Sequence, residues 1–172
     1  YVNELDKSKF ATIYEYQPDA AKFVVSPNAY APRTVEVAAY QMGNSTPIFS
    51  PTGGMKISAK DLATYMMMHA NYGKYNGVRI ISKKSSKLMQ TAVSKIEPYG
   101  FALETPGSII DGQKMIGHTG SAYGLFSAMF FNPQEKYGIV VISNGCHPGE
   151  TSGYNNVIRK AVNALYENLI VN

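Results

Sequence analysis

After Pro98 the sequence breaks into apolar runs of strand length, each closed by turn residues: Tyr99-Gly100-Phe101-Ala102-Leu103, Lys114-Met115-Ile116, Leu125-Phe126-Ser127-Ala128-Met129-Phe130-Phe131, and Tyr137 through Ser143. Runs this short, bounded by Gly, Pro and Asn, are too brief for helices and suit buried strands. The last two flank Asn132-Pro133-Gln134-Glu135-Lys136, a hairpin-length loop, so residues 98–145 read as an antiparallel meander. Thr151 or Ser152 then caps a closing helix over 151–169. Its Tyr154, Val157, Ile158, Ala161, Leu165 and Leu169 fall on one face, ready to cover a sheet.

The first half has a different texture. Residues 1–50 carry Pro18, Pro27, Pro32 and Pro47 among short apolar stretches, which predicts loop-rich, extended chain. Ser50-Pro51-Thr52-Gly53-Gly54 reads as a turn. Ser58 with Asp61 three residues on forms a weak capping box for a helix over about 58–72, with the Met66-Met67-Met68 run and His69 as its wall rather than a cofactor box. Residues 72–77 break that helix, and Ser82 caps a shorter one reaching about Ala92, making 58–92 the helical part. The expected class is α+β: an antiparallel sheet covered by a C-terminal helix, with a helical and loop-rich N-terminal half. No internal repeat or low-complexity tract interrupts it.

Composition excludes several functions. At 172 residues, with 45% hydrophobic and 12% aromatic content, the chain is globular. Its net charge of +4 is spread through the chain, the densest group being Lys83, Lys84 and Lys87, which reads as solvated surface and not as a nucleic-acid stripe. The longest apolar run, residues 137–142, falls far short of the roughly 18 that a membrane span needs. Cys146, alone, makes no internal disulfide. The start at Tyr1, without Met or a leader, is what a piece cut from a longer precursor would look like.

The chemistry concentrates in Gly117-His118-Thr119-Gly120-Ser121, read as a polar turn between two strands. It offers an imidazole, a hydroxyl and backbone N–H groups that side-chain-free Gly lets a substrate approach. Such donors suit a developing oxyanion, where removing one typically costs on the order of 100- to 1000-fold in turnover. Taken alone, Gly117-His118-Thr119-Gly120 could equally be a turn with a surface His. Nowhere does a Ser stand three positions before a Lys. Cys146-His147 could in principle supply a cysteine nucleophile, but a bland loop thiol fits better. His69, His118 and His147 are widely separated and no His-Glu-x-x-His or paired-Cys spacing occurs, so no metal is implied. Phosphate-loop spacings are absent too, and no cofactor is implied.

The ordered series tells more than any one piece. Residues 50–63 (Ser50-Pro51-Thr52-Gly53-Gly54 through Asp61-Leu62-Ala63), then Tyr75-Asn76-Gly77-Val78-Arg79-Ile80-Ile81-Ser82, Gly117-His118-Thr119-Gly120, Phe131-Asn132-Pro133 and Ile139 through Asn144, resemble the C-terminal half of the serine β-lactamase-like hydrolases: class C β-lactamases, penicillin-binding DD-peptidases, D-aminopeptidases and lactamase-like esterases. The resemblance covers most of residues 45–169 and implies a partial β-lactamase/transpeptidase-like fold.

In that family Ser-x-x-Lys, Tyr-x-Asn and Lys-Thr-Gly converge on one cleft. The resemblance puts His118 at the Lys position and Thr119 and Gly120 in the rest of that motif, with the backbone N–H of Ser121 as one oxyanion donor. It thus makes His118 and Ser121 catalytic, and Thr119 and Gly120 substrate-binding. Tyr1-Val2-Asn3, Tyr154-Asn155-Asn156 and Tyr166-Glu167-Asn168 spell Tyr-x-Asn, but the last two fall after His118, against the family's order. The segment from Glu4 to Thr12, directly after the first, resembles a stretch of the family well downstream of the true motif. The catalytic Ser, Lys and Tyr are therefore expected upstream of Tyr1. Where Lys is a fixed cation, His with a reference pKa of about 6.5 is mostly neutral at pH 7, which tilts the parent toward a peptidase, amidase or esterase.

Two functions remain as alternatives: an inactive piece of a serine hydrolase that supplies the oxyanion-side strand, or a non-catalytic ligand-binding or sensor module. The implied partners are a small-molecule or peptide substrate, the N-terminal remainder of the same domain, and a second copy through an exposed sheet edge. The family usually works on the cell envelope, which implies a periplasmic or extracellular parent.

Overall fold

The computed structural model describes residues 6–31, 34–44, 55–94, 96 and 98–171. The expected turn at Ser50 to Gly54, and Tyr1-Val2-Asn3, lie outside these. A 3-10 turn, Lys7–Lys9, opens the described chain, with the Asp6 carboxylate accepting the Ser8 N–H. A hairpin comes next, β1 (Tyr14–Gln17) against β2 (Lys22–Val25), joined by a 3-10 turn that Pro18 opens, where its missing N–H costs nothing. A single-turn helix, α1 (Thr34–Ala38), ends this loop-rich part.

Helix α2 (Ala59–Ala70) starts where its cap predicts: Ser58 Oγ accepts the Asp61 N–H at 3.1 Å and donates to the Asp61 carboxylate at 2.7 Å. It buries Met66, Met68 and His69, while Met67 turns outward. A tight hairpin, β3 (Lys74–Tyr75) and β4 (Val78–Arg79), turns on Asn76 and Gly77, both at positive φ. Helix α3 (Lys83–Met89) is capped by Ser82 and stops at Gln90, short of Ala92.

The main sheet comprises β5 (Glu104–Gly107), β6 (Met115–Ala122), β7 (Leu125–Asn132) and β8 (Tyr137–Ser143), antiparallel in that order. The meander expected between 98 and 145 is present, with two corrections. Residues 99–103 form no strand. Phe101 N–H bonds to the Met89 carbonyl and Gly100 N–H to Leu103 O, a turn tied to the end of α3, with Ala102 at positive φ. The edge strand is instead Glu-Thr-Pro-Gly, three of whose four residues are of types depleted in strands. Second, Gly117 to Ser121 is not a turn: β6 runs unbroken through it, paired residue for residue with β7, and the reversal comes at Tyr123 and Gly124, both at positive φ.

A two-residue hairpin, β9 (Glu150–Thr151) with β10 (Tyr154–Asn155), precedes α4 (Asn156–Leu169). The cap is therefore Asn155, whose side chain accepts the N–H groups of Val157 and Ile158, and not Thr151 or Ser152, which belong to the hairpin and its turn. The helix's buried face shifts with it. Ile158 and Val162 are fully buried and Tyr166 packs on Tyr137, whereas Val157, Leu165 and Leu169 are exposed. Polar anchors fix this phase: Asn163 Nδ2 donates to the Ile109 carbonyl at 2.9 Å, and Arg159 pairs with Asp111.

The sheet is sandwiched. On one face Ile109, Met115, Ala128, Phe130 and Ile139 pack against Tyr154, Ile158 and Val162; on the other, Leu103, Met129 and Phe131 meet Met66 of α2. Each fully buried aliphatic or Phe contributes on the order of 1.5–3 kcal/mol. The α2 layer contains a polar oddity. His69 is 1% exposed, against Phe131 and Tyr65, and neither ring nitrogen has a partner; Gln90 Oε1 beside it is also orphaned.

Candidate functional site

Strand alternation decides what the Gly-rich segment presents. Thr119 pairs with Ala128, and Ser121 with Phe126, on the α4 face of the sheet; His118 pairs with Met129, and Gly120 with Ser127, on the α2 face. Thr119 and Ser121 accordingly border a small cavity of about 50 Å³ with Glu150, Asn155 and Ile158. So the side chains of the four expected site residues do not converge. His118 and Gly120 share one face, while Thr119 and Ser121 contribute to that side only through their backbone.

The backbone of this segment is open. Strand β5 meets β6 at Met115 and Gly117, and no strand among the described residues flanks residues 118–122 on that side. Apart from the Thr119 carbonyl, which His118 engages, backbone groups along this edge can bond an extended ligand in the manner of an added strand.

His118 is exposed at this edge, and its Nδ1–H donates to the Thr119 carbonyl. A carbonyl only accepts, so in the neutral ring Nδ1 carries the proton and Nε2 keeps the lone pair. The Tyr99 ring meets the imidazole edge-on, with centroids 5.7 Å apart at 88°. Burial, aided by the charge of Glu104, pushes the Tyr99 phenol up, keeping it a protonated donor at neutral pH. Tyr99 escapes a reading of the sequence because it sits in an apolar run that looks like core strand.

The other candidates are engaged in structure. The Tyr154 hydroxyl donates to Glu104 and accepts the Ser108 N–H at 3.0 Å, and burial raises its pKa, so this Tyr-x-Asn is a brace between β5 and β10. Tyr166 lies on α4 against Tyr137, whose phenol is pushed up to about 12, mainly by burial. Cys146 is 3% exposed, donates its S–H to Asn155 Oδ1 at 3.1 Å, and has its thiol pushed up by burial. His147 faces Tyr16 instead. Cys146 and His147 thus form no nucleophile pair. Among the described residues no group of three His, Cys, Asp or Glu could hold a metal, and no helix is long and apolar enough to cross a membrane.

A cavity of about 490 Å³ opens on the α2 side of the sheet, walled by Leu125, Ser127 and Ile142 from the strands, Leu62 from α2, and Phe10 and Tyr30 from the N-terminal segment. Its link to β6 is Ser127, the cross-strand partner of Gly120: a Cβ on Gly120 would stand 2.7 Å from Ser127 Oγ. An antiparallel sheet between helices, with a Gly-rich polar strand open at its edge beside a largely apolar cavity, is a scaffold suited to acyl-group chemistry. The Beta-lactamase family model matches residues 2–164, and the chain belongs to that family. No curated protein matches it.

Proposed function

We propose that this chain supplies the oxyanion-side strand of a serine hydrolase site that acts on amide, peptide or ester bonds, and that it is inactive alone because it carries no Ser-x-x-Lys. The observation that carries this reading is the open edge of β6 at residues 118–122, with His118 standing on it. A substrate laid along that edge bonds the backbone as an extra strand, and the Ser121 N–H is one donor to the developing oxyanion. The Thr119 carbonyl takes the His118 Nδ1–H, so the imidazole in its neutral form presents Nε2 as an acceptor. An acceptor binds a substrate N–H or O–H and disfavours a carboxylate, which supports peptidase, amidase or esterase activity over lactam hydrolysis.

Strand β8, seven residues without a charge and unpaired on its outer side among the described residues, supports docking of the N-terminal remainder of the domain or of a second copy. A periplasmic or extracellular location belongs to the same proposal.

Intact mass after incubation with a fluorophosphonate, and separately with a penicillin, tests the assignment. The 172-residue chain should stay unmodified, while the complete parent should gain the fluorophosphonate adduct on a Ser followed three residues later by Lys. An adduct on any residue of this chain would place the nucleophile here. A parent that also stays unmodified would make the protein a binding module.

A further inference from the structure

The cations are spread through the chain, but the acids are not, and one segment carries an uncompensated excess of positive charge. Between Asp61 and Glu97 the sequence holds Lys74, Arg79, Lys83, Lys84, Lys87 and Lys95 and no acid, leaving ten of the sixteen cations to face all twelve acids elsewhere. Folding concentrates part of it further. Lys87 of α3 and Lys136 of the β7–β8 hairpin each bring Nζ to 5.5 Å from the centroid of the Tyr72 ring, and the Arg79 guanidinium is bonded to the Tyr72 carbonyl at 2.9 Å. Three cations from three elements thus gather around one tyrosine. Glu135 adjoins Lys136, but none of the three makes an ion pair among the described residues. Like charges brought together without a counter-charge repel, and an anionic partner relieves the repulsion. Aliphatic side chains next to these cations in the sequence are exposed as well: Val78 at 61% and Ile80 at 65% on either side of Arg79, and Leu88 at 52% beside Lys87. Cations alternating with exposed aliphatics are the composition of a surface that sits in a lipid headgroup layer, with charges on phosphates and apolar side chains below them. A soluble polyanion would gain nothing from Val78, Ile80 or Leu88.

We propose that the face formed by the β3–β4 hairpin, α3 and the β7–β8 turn docks peripherally on an anionic lipid bilayer. Co-sedimentation of the 172-residue chain with phosphatidylcholine vesicles, with and without phosphatidylglycerol, tests it. Binding is expected on the phosphatidylglycerol vesicles only, weakening as salt is raised. Replacing Lys83, Lys84 and Lys87 together by Gln should lower the partition coefficient about 100-fold, at about fivefold per lysine near the surface. Val78→Ser with Ile80→Ser should weaken binding at every salt concentration. All five side chains are exposed, and a circular dichroism melt checks that the variants fold. Absence of binding to phosphatidylglycerol vesicles at low salt overturns the proposal. So does binding that ignores Val78 and Ile80 and is fully competed by polyphosphate, which would mark a soluble-polyanion surface.

Discussion

Gly117 and Gly120 look interchangeable in the sequence but face different obstacles, and paired alanine substitutions measure the difference. A Cβ at 117 would stand 2.0 Å from the Met129 carbonyl oxygen, and 2.7 Å from both Cα and Cδ1 of Phe130. Two of those atoms are backbone of β7, and Phe130 is fully buried beneath α4. The methyl fits only if β6 and β7 separate at the centre of the sheet, at the top of the usual 1–3 kcal/mol range for overpacking, about 3 kcal/mol. For a domain of this size that lowers Tm by roughly 6–12 °C. At Gly120 the one close atom is Ser127 Oγ at 2.7 Å, the free end of a side chain that can change rotamer. Its cost should be less than about 1 kcal/mol, partly offset by the entropy that Ala removes from the unfolded chain. Thermal and urea unfolding of the two variants, monitored by circular dichroism, decides the matter. Equal destabilisation, or a Gly117→Ala protein as stable as the parent, would refute the claim that β6 is pinned at 117 and free at 120.

Two further predictions concern the flanking layers. Burial holds the His69 pKa below its ordinary value, so below about pH 6.5 the unfolded chain takes up a proton that the folded chain refuses. Stability therefore falls with decreasing pH by up to about 1.4 kcal/mol per unit until the folded pKa is reached; His69→Leu should remove that component, read as the difference between the two proteins' pH profiles of urea unfolding. Asn155→Ala deletes the cap on Val157 and Ile158, the acceptor for Cys146 and the donor to the His147 carbonyl. It should cost about 2 kcal/mol, seen as a lower urea midpoint at unchanged slope, and a loss below about 0.5 kcal/mol would show that the hairpin, not this side chain, starts α4.

Where sequence signals are local, they locate structure well. Ser58 and Ser82 start their helices at the expected residues because a cap needs only its own N–H partners, and the Phe-rich and Val-rich runs after residue 124 are strands because nothing in them competes with burial. The failures are non-local. Glu104–Gly107 becomes a strand because β6 offers an edge and Tyr154, 50 residues on, holds the Glu104 carboxyl. Residues 99–103 lose their strand because Met89 supplies a bond across to α3. The α4 face is rotated away from the expected one because Asn155 fixes where the helix begins, and no periodicity count sees that. At the candidate site, His118 is legible as chemistry, but its tautomer and its contact with Tyr99 depend on a carbonyl and a loop that only the fold brings near.

Five consecutive residues of β6 answer to two unrelated sets of neighbours. Remodelling the helix around Ile158 reaches Thr119, Gly120 and Ser121, which line the small cavity there, and leaves His118 untouched; reshaping the cavity beside Leu62 reaches Gly120 only through its cross-strand partner Ser127 and leaves Thr119 alone. A short run that reads as one word in the sequence is, mechanically, two: position 118 can be altered without disturbing the packing under α4, whereas 119, 120 and 121 border one cavity and change together.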